Sequence, residues 1–393
     1  MPWKNTCSKQ QRWQFLREWL RRKIPLVQLC RRWSISRKTA YKWMQRFTAR
    51  GRAGLRDQRR AAQRVHNRPS AVWLARIRRW RARHPRWGAV KLHWALQRRF
   101  GRRALPSSAA IGRWLRRWGL SRTRRRRAAH ARVIARPALT PARCANEVWT
   151  VDFKGWFRTG DGTRIDPLTV RDLASRFVLA VVLLTRPTIA QCRRAFERIF
   201  RAYGLPRIIR VANGAPFGAD GALGLTRLSA WWIKLGIRVE FIAPGRPDQN
   251  GAHEQMHRIY KQDTLQPPAP TRCAQHRRTQ RWRRAYNEQR PHAALGLRVP
   301  AARYRQSPRR LPASLPAWTY PRGWESRRVK GNGMLRWHGR ARFVGEAFAG
   351  ERVGLQAQGA GVFAVFYGPY LIGELLDQDA GGIRALWYRQ RRR

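Results

Sequence analysis

The chain has 393 residues and carries 85 Lys and Arg against 20 Asp and Glu, which gives a formal charge of +65. So large a positive charge repels itself unless a polyanion neutralises it, and the composition therefore predicts nucleic acid as the partner. An Arg-rich coding bias is the alternative, but it does not explain why acids are so scarce. Hydrophobic residues make up 43% of the chain, which is enough for real cores, and the length indicates two to four domains.

Cysteine usage and apolar content exclude several classes of protein. The five cysteines are scattered without a C-x-x-C pair, which excludes a disulfide framework and a zinc ribbon and favours a reduced, intracellular protein. The longest apolar run, residues 178–184, is far too short to cross a bilayer, and no signal peptide begins the chain. We therefore expect no membrane association and a cytoplasmic location.

The first helical unit extends over residues 9–50. Apolar residues recur at steps of three and four, a proline ends the first helix, and a tight turn leads into a third helix at residues 37–47. Ser36 is the predicted N-cap of that third helix. This helix-turn-helix layout predicts a recognition helix in a DNA major groove, with an ordinary three-helix bundle as the alternative. The predicted DNA contacts on its exposed first half are Arg37, Lys38, Thr39 and Lys42.

A second helical unit follows a polar, Arg-rich linker. Residues 72–82, 90–100 and 109–118 each place apolar side chains on one face, which predicts a second helix-turn-helix module. Another linker then contains a run of four arginines, predicted to follow a DNA backbone although such runs are most often simply solvated. These arginines are Arg124, Arg125, Arg126 and Arg127.

The middle of the chain alternates strands and helices. Strands are predicted at residues 148–153, 165–170, 177–184, 208–211 and 239–242, and helices at residues 189–203, 225–235 and 251–264. This order indicates a mixed sheet flanked by helices. Helical extensions are predicted at residues 280–286 and 300–306. Gly-punctuated, Val- and aromatic-rich segments from residue 337 onward predict a small all-β barrel with a basic tail.

Two acids of the α/β segment are candidates for a common site. Asp152 lies on the first predicted strand, where carboxylates are rare, and Glu254 lies on the last predicted helix of the segment. Asp172 fits a structural role instead, forming hydrogen bonds within the sheet.

Five short motifs occur in a characteristic order along the chain. They read WTVDFK from residue 149, DLASRFV from 172, NGAPF from 213, PGRPDQNGAHE from 244 and YNEQRPH from 286. With these motifs the chain resembles the bacterial insertion-sequence transposases of the retroviral-integrase-like superfamily, over nearly its whole length. The resemblance implies a ribonuclease H-like integrase core and binding of terminal inverted repeats and target DNA. It also implies a homo-multimer and a nucleoid-associated location in a bacterium.

The resemblance also implies a reaction and a cofactor. The family cuts DNA and joins 3′ ends with a pair of Mg²⁺ ions, or Mn²⁺, held by the carboxylates of two Asp and one Glu. By resemblance Asp152 is the first of these metal ligands and Glu254 is the third, and both are the predicted catalytic residues.

The position of the second Asp departs from the family pattern. The family has Asp immediately before the Asn-Gly turn, and here that residue is Ala212. Because a methyl group cannot bind a metal, the incomplete acidic triad predicts impaired activity. Asn213 is a poor substitute, since successive strand residues point to opposite faces, although a turn could re-aim it. Asp220 and Asp248 lie in flanking loops, and no spacing favours either.

Two other functions compete with an active transposase. One is a non-catalytic, sequence-specific DNA-binding protein derived from a transposase. The other is a zinc metalloprotease, because His253, Glu254 and His257 form the pattern H-E-x-x-H. The longer version of that pattern fails at residue 260, and no third zinc ligand has supporting context.

The predicted organisation has six parts. They are a helix-turn-helix domain (1–55), a basic linker (56–70), a second helix-turn-helix domain (71–120), an Arg-rich linker (121–144), the α/β core with its helical extension (145–310) and the β-barrel with its basic tail (311–393).

Overall fold

The computed structural model describes residues 8–57, 70–102, 105–121, 139–243, 247–315, 317–379 and 381–385. The predicted contacts Arg124, Arg125, Arg126 and Arg127 lie outside these residues. The chain divides into two compact units, residues 1–76 and 77–393. No helix in the described residues is long and apolar enough to cross a membrane.

The first unit is a small helical domain. It contains α1 (Ser8–Leu20), α2 (Leu26–Arg32), α3 (Arg37–Arg50) and a short 3₁₀ turn at Gly51–Leu55. Phe15, Leu16 and Trp43 are central to its core. The hydroxyl of Ser36 accepts a hydrogen bond from the backbone N–H of Thr39 at 3.2 Å, which confirms the predicted N-cap of α3.

Three further helices confirm the second predicted helical unit. They are α4 (Ala71–Arg83), α5 (Ala89–Phe100) and α6 (Ser108–Arg117). Ser107 caps α6 by accepting from the backbone N–H of Ala110 at 3.3 Å. Leu92, Leu96 and Ile111 are buried where α5 and α6 pack together.

A six-stranded mixed sheet forms the centre of the second unit. Its strands are β1 (Val148–Phe153), β2 (Phe157–Arg158), β3 (Arg164–Asp172), β4 (Val178–Leu184), β5 (Ile208–Val211) and β6 (Arg238–Phe241). The long strands lie in the order β4-β3-β1-β5-β6, with the short β2 beside the beginning of β3. β1 pairs antiparallel with β3 and parallel with β5, so β1 is central and buried. The sequence did not predict β2.

Helices cover both faces of this sheet. The helices are α7 (Ile189–Tyr203), α8 (Arg227–Lys234), α9 (Gly251–Thr264) and α10 (Arg272–Glu288). One core joins the sheet to α7 and α8 through Phe196, Phe200 and Trp232. A second core joins the opposite face to α9 and α10 through Met256 and Trp282. The mixed α/β core predicted from the order of elements is confirmed.

The helical extension differs from its prediction in length. α10 extends well beyond residues 280–286, whereas residues 300–306 form only a 3₁₀ turn at Pro300–Ala302. After this turn the backbone N–H of Ser307 donates to the carbonyl of Tyr203 at 2.9 Å.

The last part of the chain is all-β. Its strands are β7 (Glu325–Arg328), β8 (Met334–Trp337), β9 (Arg340–Phe343), β10 (Arg352–Gly359), β11 (Val362–Tyr367), β12 (Tyr370–Leu376) and β13 (Arg384–Ala385). Five of them form the antiparallel sheet β13-β12-β11-β10-β7, and β8 and β9 form a hairpin. The N–H of Lys330 donates to the carbonyl of Met334 at 2.7 Å, and that of Ile383 donates to the carbonyl of Phe343 at 2.8 Å. These bonds connect the hairpin to both edges of the sheet, in keeping with the predicted small barrel.

Candidate catalytic site

Asp152 lies near the end of the central strand β1. The residues before it on the strand are buried, namely Val148, Trp149 and Val151. The side chain of Asp152 itself is 29% exposed. The backbone N–H of Phe153 donates to its Oδ1 at 2.8 Å. The sheet therefore holds one carboxylate near the end of a largely buried strand.

Burial and a second carboxylate both raise the pKa of Asp152. Loss of water around the group is the larger cause, the charge of Glu254 adds to it, and the Phe153 N–H and Lys154 oppose it, so the pKa rises to about 6. The exposed Glu254 is thus close enough to act on Asp152 electrostatically. The structure brings together the two acids that the sequence predicted would share a site.

Two histidines fix the helix that carries Glu254. The Nδ1 of His253 lies 2.8 Å from the Thr150 hydroxyl on β1, and its Nε2 lies 2.6 Å from the Thr169 hydroxyl on β3. The Nε2 of His257 lies 2.7 Å from the same Thr169 hydroxyl. Because His253 is fully buried, α9 cannot shift along the sheet without breaking these bonds.

The protonation of this network follows from its geometry. The Thr169 hydroxyl donates its one proton to the carbonyl of Asp152 at 2.9 Å, so we infer that it accepts from the Nε2–H of both histidines. Burial lowers the pKa of His253 well below its usual value, and burial, Lys154 and Arg171 lower that of His257 to about 3. Both rings are therefore neutral and serve as hydrogen-bond donors to Thr169.

His257 also faces the carboxylate of Asp152. Its Nδ1 lies 3.9 Å from the Oδ2 of Asp152, which is too long for a hydrogen bond. The backbone of Asp152 is thus held through Thr169, while its carboxylate stays available to a ligand on the side of Glu254.

Ala212 lies at the position where the family pattern has its second Asp. The parallel pairing of β1 with β5 sets Val148 opposite Ile208 and Thr150 opposite Arg210. Extending this register by two residues places Ala212 level with Asp152, one residue beyond the end of β5. The side chain in the position predicted for a second acid therefore has no oxygen.

Three polar residues lie near Ala212 in the sequence. The Nδ2 of Asn213 donates to the carbonyl of Ile242 at 2.6 Å, so its amide is already engaged across the β5–β6 edge. Asp220 is exposed in the following loop, and the side chain of Asp248 lies outside the described residues.

The donor set of the site fits one divalent cation better than two. Asp152 and Glu254 supply carboxylate oxygens, and Mg²⁺ is commonly bound by one or two carboxylates together with water and phosphate oxygens. Within the described residues, no group of three or more His, Cys, Asp and Glu side chains is placed to hold a metal ion. The chain thus offers two of the three ligands that a two-metal site requires.

The zinc interpretation of H-E-x-x-H does not fit the geometry. Thr150 and Thr169 engage both ring nitrogens of His253, and Thr169 engages the Nε2 of His257. A zinc ligand needs a free nitrogen lone pair directed at the metal. The two histidines brace the fold instead.

Models of known protein families match most of the chain. Homeodomain-like domains match residues 8–56 and 39–115. The integrase core domain matches residues 142–247 and, in a second family of that description, residues 235–300. The C-terminal domain of the IS481 family transposases matches residues 324–383.

A curated relative decides the family. The insertion element IS407 uncharacterized 31.7 kDa protein of Burkholderia multivorans is 31% identical over 217 residues, which is 55% of this chain and 74% of the relative. The chain belongs to the bacterial insertion-sequence transposases of the integrase-like superfamily. The insertion element IS476 uncharacterized 39.2 kDa protein of Xanthomonas euvesicatoria is 30% identical over 184 residues, 47% of this transposase and 51% of that relative.

Solved integrases are also similar to this transposase. The HTLV-2 integrase catalytic core domain in complex with magnesium (trimeric form) is 14% identical at a TM-score of 0.31, covering 41% of this chain and 98% of that chain. The simian T-cell lymphotropic virus intasome in complex with PP2A regulatory subunit B56 gamma is 13% identical at a TM-score of 0.37, covering 73% of this chain and 91% of that chain.

The third helix of the transposase presents most of its predicted DNA contacts to solvent. Arg37, Lys38 and Lys42 are exposed on α3, and Thr39 is half-buried, with its hydroxyl 2.9 Å from that of Ser36. Tyr41 of the same helix is 58% exposed.

Asp172 of the transposase has the structural role predicted for it. Its Oδ2 accepts from the backbone N–H of Asn146 at 2.7 Å, and its Oδ1 accepts from the N–H of Ser175 at 2.7 Å. The bond from Ser175 closes the β3–β4 turn, and the bond from Asn146 fixes the segment that precedes β1. The residues that sequence reasoning missed are Thr150 and Thr169, whose role depends on side chains distant in sequence.

Proposed function

We propose that this transposase binds the ends of its element through its helix-turn-helix modules and presents a DNA phosphodiester to Asp152 and Glu254. The reaction is metal-dependent DNA cleavage followed by transfer of the 3′ end to target DNA, and Ala212 greatly slows it. The arrangement of three residues at the end of β1 supports both parts of the proposal. The two acids act on each other electrostatically at the end of β1, and Ala212 stands level with Asp152 on the next strand.

The protein residues have separable tasks in this proposal. Asp152 and Glu254 hold Mg²⁺ or Mn²⁺, which when bound polarises the scissile phosphate and stabilises the leaving oxygen. Thr169 positions Asp152 by accepting from His253 and His257. Lys154 acts electrostatically on both Asp152 and Lys261, so cationic side chains surround the acids and favour an approaching phosphate.

Strand transfer by the Ala212→Asp variant tests the proposal. The added carboxylate completes the three-ligand set, and we expect about 100-fold or more strand transfer over the unmodified chain, because metal ligation supplies several kcal/mol of charge stabilisation. Ala212→Asn is the matched control, since it has the same shape without the charge. An unmodified chain that joins ends as fast as Ala212→Asp would show that position 212 does not hold metal.

A non-catalytic, sequence-specific DNA-binding protein is the second candidate function. The lack of a carboxylate at Ala212 favours it, and the same assay separates the two candidates. Element ends that are bound but never cut by the unmodified chain, together with recovery in Ala212→Asp, identify a DNA-binding protein that has lost its reaction. We further propose that the chain acts as a homo-multimer on paired ends and resides in the bacterial nucleoid.

A further inference from the structure

A group of cationic side chains surrounds His292 in the last of the five sequence motifs. The cation cluster consists of Lys91 on α5, Arg171 on β3, Arg176 in the β3–β4 turn and Arg290 after α10. Burial is the largest cause of the lowered pKa of His292, and each of these four cations lies close enough to lower it further. Arg171 is fully buried, whereas the other three are half-buried and reach solvent. The cluster therefore combines one fully buried guanidinium group with three side chains that solvent can reach.

The cation cluster has no paired carboxylate in the described part of the chain. Asp263 is the acid that acts on Arg290, but it is already paired with Arg86 and accepts from the Nε1 of Trp282 at 3.2 Å. Asp172, beside Arg171, is engaged by backbone N–H groups. Four neighbouring cations without a counter-ion repel one another most strongly where water is scarce.

Several donors in the cation cluster are also unsatisfied. The Nε atoms of Arg171 and Arg290 and the Nε2 of His292 are buried without a hydrogen-bond partner. Buried polar atoms are nearly always paired, so three such atoms on residues of one cluster indicate a missing partner. Because the lowered pKa of His292 keeps its ring neutral, a proton on Nε2 makes it a donor.

A tetrahedral anion satisfies both the unbalanced positive charge and the unpaired hydrogen-bond donors. Its oxygens accept from several guanidinium and imidazole N–H groups at once, and its charge offsets the repulsion. A carboxylate side chain from elsewhere in the chain would neutralise part of the positive charge, but none in the described residues occupies the cluster.

We propose that the cation cluster, together with His292, binds one phosphate of the DNA backbone between the second helix-turn-helix module and the core. This site is separate from the acids at Asp152 and Glu254, and it rests on the proposed function because it takes DNA as the source of the phosphate. Lys91 belongs to the module and Arg290 to the core, so one bound phosphate joins the two parts.

Ethylation interference on the bound element end tests the site. Ethylating a phosphate that the protein contacts weakens binding, and we expect one position to lose its effect in both Arg290→Gln and Lys91→Gln. Each variant is also expected to lower the slope of log affinity against log salt by about 0.9, the value for one phosphate contact. Arg336→Gln, at an exposed arginine of β8, is the control and keeps that position.

The two variants come from different elements, so a folding defect in one leaves the other informative. Their thermal unfolding in chloride shows whether each is folded. If both keep every phosphate of the unmodified pattern, or lose different ones, the DNA backbone is disproved as the ligand of this site.

A second measurement separates DNA from free phosphate and does not require DNA binding. Inorganic phosphate is compared with sodium chloride at equal ionic strength by thermal unfolding. A rise in Tm in the unmodified protein and Arg336→Gln, absent from Arg290→Gln and Lys91→Gln, supports the anion site even if the element end is not bound. That result without the interference effect identifies free phosphate as the ligand, and failure of both measurements overturns the site.

Discussion

The Nε2 of His253 lies 2.6 Å from the hydroxyl of Thr169, and this contact joins the helix that carries Glu254 to strand β3. Through the same hydroxyl, the backbone of Asp152 is fixed on the neighbouring strand. The two acids thus depend on one threonine for their relative placement. A pattern that suggests zinc in the sequence is a brace between a helix and two strands.

Thr169→Val is expected to lower the free energy of unfolding by about 2–4 kcal/mol, because it leaves the ring N–H groups of His253 and His257 buried without an acceptor. Urea unfolding measures the change. Thr48→Val is the matched control, since the Thr48 hydroxyl bonds the Met44 carbonyl on an exposed surface, and it should cost less than about 0.5 kcal/mol. Equal losses in the two variants would contradict the bracing role.

Asp152→Asn is expected to stabilise the metal-free protein near pH 7.5 and to have little effect near pH 3. The folded-state pKa of Asp152 is raised to about 6 from 3.8. The folded state therefore binds this proton more tightly than the unfolded state does. The protonated carboxyl group contributes its full stabilisation below about pH 3.8, and this contribution is lost as the pH rises through 6. Removing the ionised carboxylate should recover about 1–3 kcal/mol, at 1.36 kcal/mol per pKa unit.

Urea unfolding at both pH values, with a chelator present, measures that difference. Glu374→Gln, at an exposed carboxylate on β12, is the control. A destabilised Asp152→Asn at the higher pH would show that burial and Glu254 do not strain this acid.

Zinc is expected not to bind stoichiometrically, because Thr150 and Thr169 occupy both ring nitrogens of His253. Equilibrium dialysis followed by elemental analysis measures bound zinc per chain. One zinc per chain that is lost in His253→Ala and accompanied by peptidase activity would restore the metalloprotease interpretation.

Arg37→Ala and Lys42→Ala are expected to weaken binding to the element's terminal repeat, because both side chains are exposed on α3. A base contact is worth about 1–3 kcal/mol and distinguishes the repeat from scrambled duplex, whereas a phosphate contact weakens both equally. Fluorescence anisotropy with the two duplexes measures this. Arg50→Ala, at the far end of the same helix, is the control. Unchanged affinity in both test variants would remove α3 as the recognition helix.

Local pattern was sufficient for much of the fold. The buried strand at β1 follows from alternating bulky residues around Asp152, and Ser36 begins α3 because its side chain accepts from a backbone N–H three residues on. Where neighbours in space decide, the pattern failed. Residues 300–306 were predicted to be helical, but only Pro300–Ala302 form a 3₁₀ turn, and the backbone N–H of Ser307 bonds to the distant Tyr203.

The candidate site shows the same difference between what local sequence predicts and what neighbours in space decide. The sequence by itself determined the family and predicted an integrase-type site with Asp152, Glu254 and Ala212, because residue identity and motif order are properties of the chain. Only the tertiary structure decided what the histidines do. Their partners Thr150 and Thr169 lie 103 and 84 residues from His253. Hydrogen bonds depend on distances in space that spacing along the chain does not contain.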